Sequence, residues 1–319
     1  MPKRLIWVLL ALLGILILVW PFWGTNYSLR LITMVFMYAT MAAAWNLIGG
    51  FAGYASFGNV VFFGLGGYGA GVMMARFGWP LISAIVLGII VCSLLAIVMW
   101  PILRLKGHYF AIATLAVAEA TKELVSTASI TGGSTGLGLP IFPGEIRDMA
   151  IFFYFAMFVL MVLTILITYV IRYNRIGYAL IAIKVDEQTA ESLGVDTARY
   201  KTLAFVMSAA ITSVAGSLYA YWITFIDPVS MFTVNISINM IMMALLGGTG
   251  TIWGPIAGAA VLSLVSEWTW SNFPTLHTSI LGLIMVLLIL FVPQGLSDLF
   301  RKRGNLLGTL RSQLRSYGV

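Results

Sequence analysis

"RIGYALIAIKVDEQTAESLGVDTARYK", residues 175–201, concentrates charge in a chain that has little of it: 9% of the residues are charged and 61% are apolar. The window 172–201 holds Arg172, Arg175, Lys184, Asp186, Glu187, Glu191, Asp196, Arg199 and Lys201. Apolar runs over 150–171 and 201–223 close on it from both sides. A helix of about 20 residues crosses a ~30 Å hydrocarbon core. Each run is therefore long enough to span a bilayer, and the window is the polar link between two spans.

Outward from this link the pattern repeats. Runs 5–23, 31–49 and 81–103 are also long enough to span; 60–75, 108–125, 254–270 and 277–292 are shorter or more interrupted. Run 236–247 covers only ~18 Å as a helix, which suits a half-span or one arm of a broken helix. Soluble domains are about half apolar and a quarter charged. This chain of 319 residues, with a mean hydropathy of +1.00, needs lipid as its solvent. The fold class expected is an all-α integral membrane protein, a polytopic bundle of about 8–10 transmembrane helices. It forms one domain over 1–319, with spans within 5–292, a loop over 172–200 and a basic tail over 293–319. The bulky residues of "VWPFWG", 19–24, replace the small residues of a cleavage site, so the first run reads as a retained anchor.

Charge then orients the bundle. If all ten runs cross and the N-terminus is inside, 14 of the 18 basic residues are cytoplasmic, and Arg30, Arg76, Lys122 and Arg147 are the other four. The positive-inside rule favours that orientation, with both termini cytoplasmic. The net charge of +7 is thus a topology signal and gives no reason to invoke nucleic acid. The single cysteine, Cys92, permits neither an internal disulfide nor a thiolate metal site.

Two glycine clusters interrupt the apolar pattern, "NLIGGFAGYASFGNVVFFGLGGYGAG" over 46–71 and "ALLGGTGTIWGPIAGAA" over 244–260. Each opens with aliphatic residues and a Gly-Gly pair, and the likeness hints at an internal repeat, parallel or inverted. Gly49–Gly53, Gly67–Gly71 and Gly254–Gly258 have the GxxxG spacing that brings helices close. Irregular backbone at membrane depth needs protein or a wet cavity around it. Asn46, Tyr54, Ser56, Asn59 and Thr249, in or beside the clusters, are therefore candidates for a translocation path, with plain helix packing as the alternative.

Within 172–201, Asp186 is placed to cap a short helix, Glu187 and Glu191 lie near its positive end, and Gly194 is placed to stop it. Asp196 caps the next helix, which opens with Arg199 and Lys201 at the membrane surface. Small residues Ala190 and Ser192 make the short helix a compact docking knob.

"RIGYALIAIKVDEQTAESLGVDTARYKTLAFVMSAAITSVAGSLYA" resembles the coupling loop and following span of branched-chain amino-acid ABC transporter permeases of the Liv-type M subunit. "AWNLIGGFAGYASFGNVVFFGLGGYGA", "LKGHYFAIATLAVAE", "TGGSTGL" and "LLGGTGTIWGPIAGAAV" extend the likeness over about residues 42–265 in family order. The resemblance implies a bacterial inner-membrane subunit of an ATP-driven importer of branched-chain or related amino acids. It also implies a second, similar permease, two cytoplasmic ATPase subunits that hold ATP and Mg, and a periplasmic binding protein. By the same likeness Ile176, Gly177, Tyr178, Asp186, Glu187, Ala190, Glu191 and Gly194 couple to an ATPase subunit. The substrate stays open between branched-chain amino acids and urea, amides or other amino acids.

The residues themselves agree in what they lack. The sequence contains no G-x-x-x-x-G-K-[ST], so ATP would be bound by a separate chain, and no cofactor is expected on this one. His108 and His277 lie far apart without a carboxylate cluster, which gives no metal or relay site. The serines lack a His and Asp pair, so no hydrolase is expected. The alternative function is an ion-coupled secondary transporter in which Glu119, near mid-span in "AVAEATKEL" and close to Lys122 and Glu123, is the carrier; the other reading of these charges, favoured by their closeness to the outer loop, is a tilted or partial span whose outer end is wet. Glu267, between aromatic residues in "SEWTWSNF", reads as part of an outer interfacial belt.

Overall fold

The computed structural model describes residue 14, residues 17–276 and 279–284, and residues 286 and 295. The anchor over 5–23, the run 277–292 with His277, and the basic tail 293–319 fall wholly or largely outside these residues. Between residues 26 and 272 the chain forms eleven α-helices: α1 (Asn26–Ile48), α2 (Asn59–Phe77), α3 (Leu81–Val98), α4 (His108–Thr127), α5 (Ile146–Arg172), α6 (Arg175–Val185), α7 (Glu187–Ser192), α8 (Thr197–Ile223), α9 (Pro228–Met231), α10 (Val234–Gly247) and α11 (Gly254–Asn272). One two-stranded ribbon, β1 (Leu137–Gly138) antiparallel to β2 (Phe225–Ile226), pairs Leu137 with Ile226 and Gly138 with Phe225. The architecture is an all-α polytopic membrane bundle, and six segments are long and apolar enough to cross a membrane: α1, α2, α3, α5, α8 and the unit Pro228–Gly247.

Local chemistry sets the ends of these helices. Thr25 accepts the Ser28 N–H to start α1, and Glu145 with Asp148 forms a capping box on α5. The apolar run 81–103 is not one helix. α3 stops at Val98, and Pro101, which has no N–H to give, opens a 3₁₀ turn over Trp100–Arg104. The run 236–247 lies in the second arm of a broken helix, one of the two forms its length allows. Asp227 caps the short α9, the chain turns at Phe232–Thr233, and α10 follows.

Lipid tails are as apolar as leucine, so close packing rather than exclusion of water holds such helices together. α2 and α8 form the centre. A Cβ on Gly216 would lie 2.0 Å from the Phe63 carbonyl oxygen, and one on Gly66 2.3 Å from that of Ser213. α10 and α11 meet equally closely at Gly258, one half of an expected GxxxG pair. Gly49–Gly53 does not act this way, because α1 has already ended at Ile48 and Gly53 sits in the break at φ +79°. Phe63, Phe153 and Tyr154 pack in one buried cluster with residues of α1, α2, α5 and α8, and Phe62 and Phe205 in a second with residues of α3, α4 and α6.

Outward faces differ. α3 presents Ile82, Val86, Ile90 and Leu94, and α5 presents Val159, Leu163, Leu166 and Val170, all apolar as lipid demands. The two ends differ too. Arg104, Lys106, Arg172, Arg175, Lys184, Arg199 and Lys201 lie at the end of the bundle where α1 finishes and α8 begins. Arg30 lies at the other end of α1, and Arg76 and Arg147 lie at the corresponding ends of α2 and α5.

Candidate functional site

The segment between α5 and α8 is held against the basic end by its smallest residue. α5 ends at Arg172, and Asn174 caps α6 by accepting the Arg175 N–H at 2.6 Å. A Cβ on Gly177 would fall 2.2 Å from the Ile171 carbonyl oxygen, so only glycine allows α6 to fold back this tightly. Leu180 and Ile183 then enter the core beside Leu47, Phe51, Leu103 and Phe205. Asp186 caps α7 by accepting the Thr189 N–H at 2.6 Å, and that bond holds its carboxyl below the usual aspartate value. Gly194 ends α7 at φ +88°, with the Val195 N–H donating to the Ala190 carbonyl at 3.0 Å. Asp196 accepts the Arg199 N–H at 3.0 Å and starts α8.

The faces of α7 differ from the sequence reading. Ala190 is buried at 3% exposure and is not part of an outer knob. Glu187 also turns inward. Its Oε1 lies 2.5 Å from Lys201 Nζ, its Oε2 accepts the Tyr54 hydroxyl at 2.6 Å, and Lys106 Nζ stands 3.6 Å away. Lys201, expected to open its helix at the surface, is enclosed by protein at the basic end. It is 3% exposed, and its ammonium also donates to the Leu103 carbonyl at 2.7 Å and the Tyr54 hydroxyl at 3.1 Å. Burial acts to raise the Glu187 carboxyl. The Lys201 ammonium, the Tyr54 hydroxyl and Lys106 outweigh it and hold the group below the usual glutamate value.

What α6 and α7 expose is partly apolar. Val185 is 82% exposed and Leu193 80%, flanking α7, with Tyr178 on α6 and the acidic Asp186 and Glu191 nearby. Ile176 is half-buried and Gly177 buried. Sequence reasoning missed Val185 and Leu193, although two aliphatic side chains inside the most charged window were the available signal.

Lys184 carries the connection inward. Its ammonium donates to the Gly50 carbonyl at 2.8 Å, in the break between α1 and α2. That break meets the one between α10 and α11. Asn46 donates from Nδ2 to the Thr251 carbonyl at 2.8 Å and accepts the Gly250 N–H on Oδ1 at 2.8 Å. The two glycine clusters are therefore two helix–break–helix units whose breaks touch at the basic end.

Of the polar path candidates, Asn46 staples the breaks and Tyr54 belongs to the Glu187–Lys201 network. Ser56 is buried, with its hydroxyl accepting the Gly58 N–H at 3.2 Å and its carbonyl accepting the Trp45 indole N–H at 2.8 Å. Asn59 donates to Ser208 at 2.8 Å and keeps its buried Oδ1 unpartnered. Thr249 is half-buried beside Gly250. A cavity of about 480 Å³ opens at the basic end between Gly53, Tyr54, Lys106, His108, Lys184 and Glu187. At the opposite end, cavities of about 580 and 310 Å³ share Tyr27, Arg30 and Met34, and the Tyr27 hydroxyl donates to Glu267. Glu119 is not a buried carrier: its side chain is 48% exposed and paired with Lys122. Among the described residues no group of three His, Cys, Asp or Glu could hold a metal.

The model of the family described as branched-chain amino acid transport system / permease component matches residues 27–292. The chain is similar to the high-affinity branched-chain amino acid transport system permease protein LivM of Salmonella typhimurium, 30% identical over 92% of this chain and 75% of that protein. It is similar to LivM of Escherichia coli, at 28% over the same shares, and to the permease protein LivH of Escherichia coli, at 26% over 83% of this chain and 92% of that one. Match and geometry agree on a multi-pass membrane subunit, and the chain belongs to the family of branched-chain amino acid transport system permease components.

Proposed function

We propose that the chain is the membrane-spanning permease of an ATP-driven importer of branched-chain or related amino acids. It works with a second permease, two cytoplasmic ATPase subunits carrying ATP and Mg, and a periplasmic binding protein. It sits in the bacterial inner membrane with its basic end in the cytoplasm. One observation carries the coupling part of this reading: Val185 and Leu193, which flank α7, face outside while Glu187 on α7, paired with Lys201, and Lys184 on α6 tie the segment to the bundle. A push on α7 reaches Tyr54 through Glu187. Through α6, Lys184 and Asn46 it reaches both glycine breaks, where irregular backbone can reorganise with little loss of helix.

Proteoliposomes holding the whole assembly test this. Uptake of labelled leucine should require ATP and the ATPase and should continue when an ionophore collapses the proton gradient. Uptake that stops with the gradient, and with Glu119→Gln, would overturn it.

A further inference from the structure

Arg30 stands on the border of two stripes of α1. Tyr27, Leu31 and Met34 flank it on one side at helical spacing, and Asn26 and Thr33 on the other. The first stripe faces Ser263, Glu267 and Trp270, which share one face of α11, across the cavity of about 310 Å³. The second faces Met149 of α5 and Trp222 of α8 across the cavity of about 580 Å³. Both cavities therefore open on one guanidinium, within the first ~12 Å of α1.

Side chains of opposite charge line the smaller cavity without meeting. Among the described residues Arg30 enters no ion pair. Glu267 is half-buried and accepts the Tyr27 hydroxyl, one turn before Arg30. The Ser263 hydroxyl, on the same wall as Glu267, is buried and has no hydrogen-bond partner among the described residues. The rest of the lining is largely apolar, with Leu31 and Met34 in one cavity and Met149 and Ile223 in the other. Apolar walls around a few convergent polar groups are the form of a small-ligand site, and both volumes fall in the range of such sites.

Each polar group selects a partner by its chemistry. The planar fork of a guanidinium fits two oxygens of a carboxylate or phosphate. A carboxylate beside an indole face attracts an ammonium. Methionine walls adapt to branched or irregular apolar groups.

We propose that these joined cavities bind a zwitterion with an apolar body, its acid oxygens on Arg30, its ammonium on Glu267 beside Trp270, and its apolar part against Met34 and Met149. Two sources carry this chemistry, a free aliphatic amino acid and the headgroup of an aminophospholipid. The amino-acid source rests on the reading above of the chain as an amino-acid permease, and the lipid source does not.

The purified full-length chain tests the inference with truncated probes. Leucine carries both charges, isovalerate only the carboxylate and isoamylamine only the ammonium. In detergent, leucine should raise the midpoint of thermal unfolding by binding the folded chain. Each truncated probe should need a concentration about tenfold or more higher for the same shift. Native mass spectrometry is the lipid arm: phosphatidylethanolamine should be retained over phosphatidylglycerol, which lacks the ammonium. A leucine response assigns the site to the amino acid, and a phosphatidylethanolamine preference alone assigns it to the lipid. In whichever arm responds, Arg30→Gln and Glu267→Gln should abolish the response, while Arg30→Lys keeps the charge without the fork and should retain part of it. If a variant misfolds, the probe series on the wild type decides. No response in either arm, equal shifts from leucine and isovalerate without a lipid preference, or folded Gln variants that respond like the wild type would each overturn the inference. ATP-driven leucine uptake by the whole assembly separates the two failures. Uptake without binding in either arm sinks this inference alone, whereas binding without uptake sinks the proposed function alone.

Discussion

Glu187 and Lys201 meet at 2.5 Å beneath α7, and the Tyr54 hydroxyl bridges them by donating to one and accepting from the other. The carboxylate belongs to the short surface helix, the ammonium to α8, and the phenol to the break after α1. One polar cluster therefore joins three segments that are distant in sequence.

Removing one partner of such a pair leaves the other buried and uncompensated, at a cost of about 3–5 kcal/mol. Glu187→Gln should lower the thermal stability of the purified chain by an amount near the lower end, because Glu187 keeps some solvent contact. Adding Lys201→Met should restore part of the loss. The pH dependence follows from the depressed carboxyl: its stabilisation is complete above the unfolded glutamate value near ~4.3 and fades as pH falls through the folded value. Thermal unfolding of the wild type and Glu187→Gln should thus differ fully at neutral pH and converge in acid. A constant difference down to the lowest accessible pH would contradict the pairing.

Gly194 offers a cleaner backbone test. Nothing stands within 4 Å of a Cβ built there, so any effect of Gly194→Ala comes from its φ of +88°. Left-handed backbone costs an L-residue roughly 1–2 kcal/mol. Gly194→Pro costs more, because it also removes the N–H that donates to the Glu191 carbonyl at 2.9 Å. Protease sensitivity of the 172–201 segment should rise in the order wild type, Ala, Pro, while membrane insertion stays normal. Equal sensitivity in all three would show that α7 needs no left-handed stop.

Asn46 is the link between the breaks. Asn46→Ala strands the half-buried Gly250 N–H and Thr251 carbonyl, each costing toward the lower end of the about 1–3 kcal/mol of a buried group without a partner. Asn46→Asp keeps the acceptor for Gly250 and loses the donor for Thr251. Uptake in proteoliposomes should fall strongly in both while ATP hydrolysis by the assembled complex persists. If uptake and hydrolysis decline in parallel, Asn46 is a folding residue and not a transmission point.

Orientation is checked by labelling. In a Cys92→Ser background, a cysteine at Ser134 should react with an impermeant thiol reagent in whole cells. One at Thr189 should react only after permeabilisation. Both positions are exposed and lie at opposite ends of the bundle, so the reverse pattern inverts the topology.

Local chemistry was legible in the sequence and distant pairing was not. Asp186, Gly194 and Asp196 act within a turn of their own backbone, so their capping roles could be read from neighbouring residues. Most of the apolar runs between 31 and 270 are helices, because lipid leaves few other ways to satisfy the backbone, whereas 81–103 breaks at Val98 before the Pro101 turn. Glu187 could not be aimed from sequence. A six-residue helix shows too little periodicity to define a face, and Tyr54, Lys106 and Lys201 come from three other segments. Lys201 looked superficial because it opens a span, yet α8 begins below the cluster that buries it. The polar residues of the first glycine break were visible, but their partners, Thr251, Ser208 and Glu187, depend on how the two breaks and α7 come together.

Leu193→Asp with Val185→Asp probes whether the ATPase pushes on this segment through the exposed apolar side chains that flank α7. Both side chains are about four-fifths exposed, so the changes leave the bundle and its Glu187–Lys201 cluster intact. A charge placed in a packed subunit contact is strongly unfavourable. The measurement is co-purification of the ATPase with the tagged permease, together with substrate-stimulated ATP hydrolysis in proteoliposomes. The double variant should insert and unfold thermally like the wild type, yet lose most of the bound ATPase and its stimulation. Full ATPase recovery with wild-type stimulation would contradict it and leave 172–201 as a solvated loop between two spans.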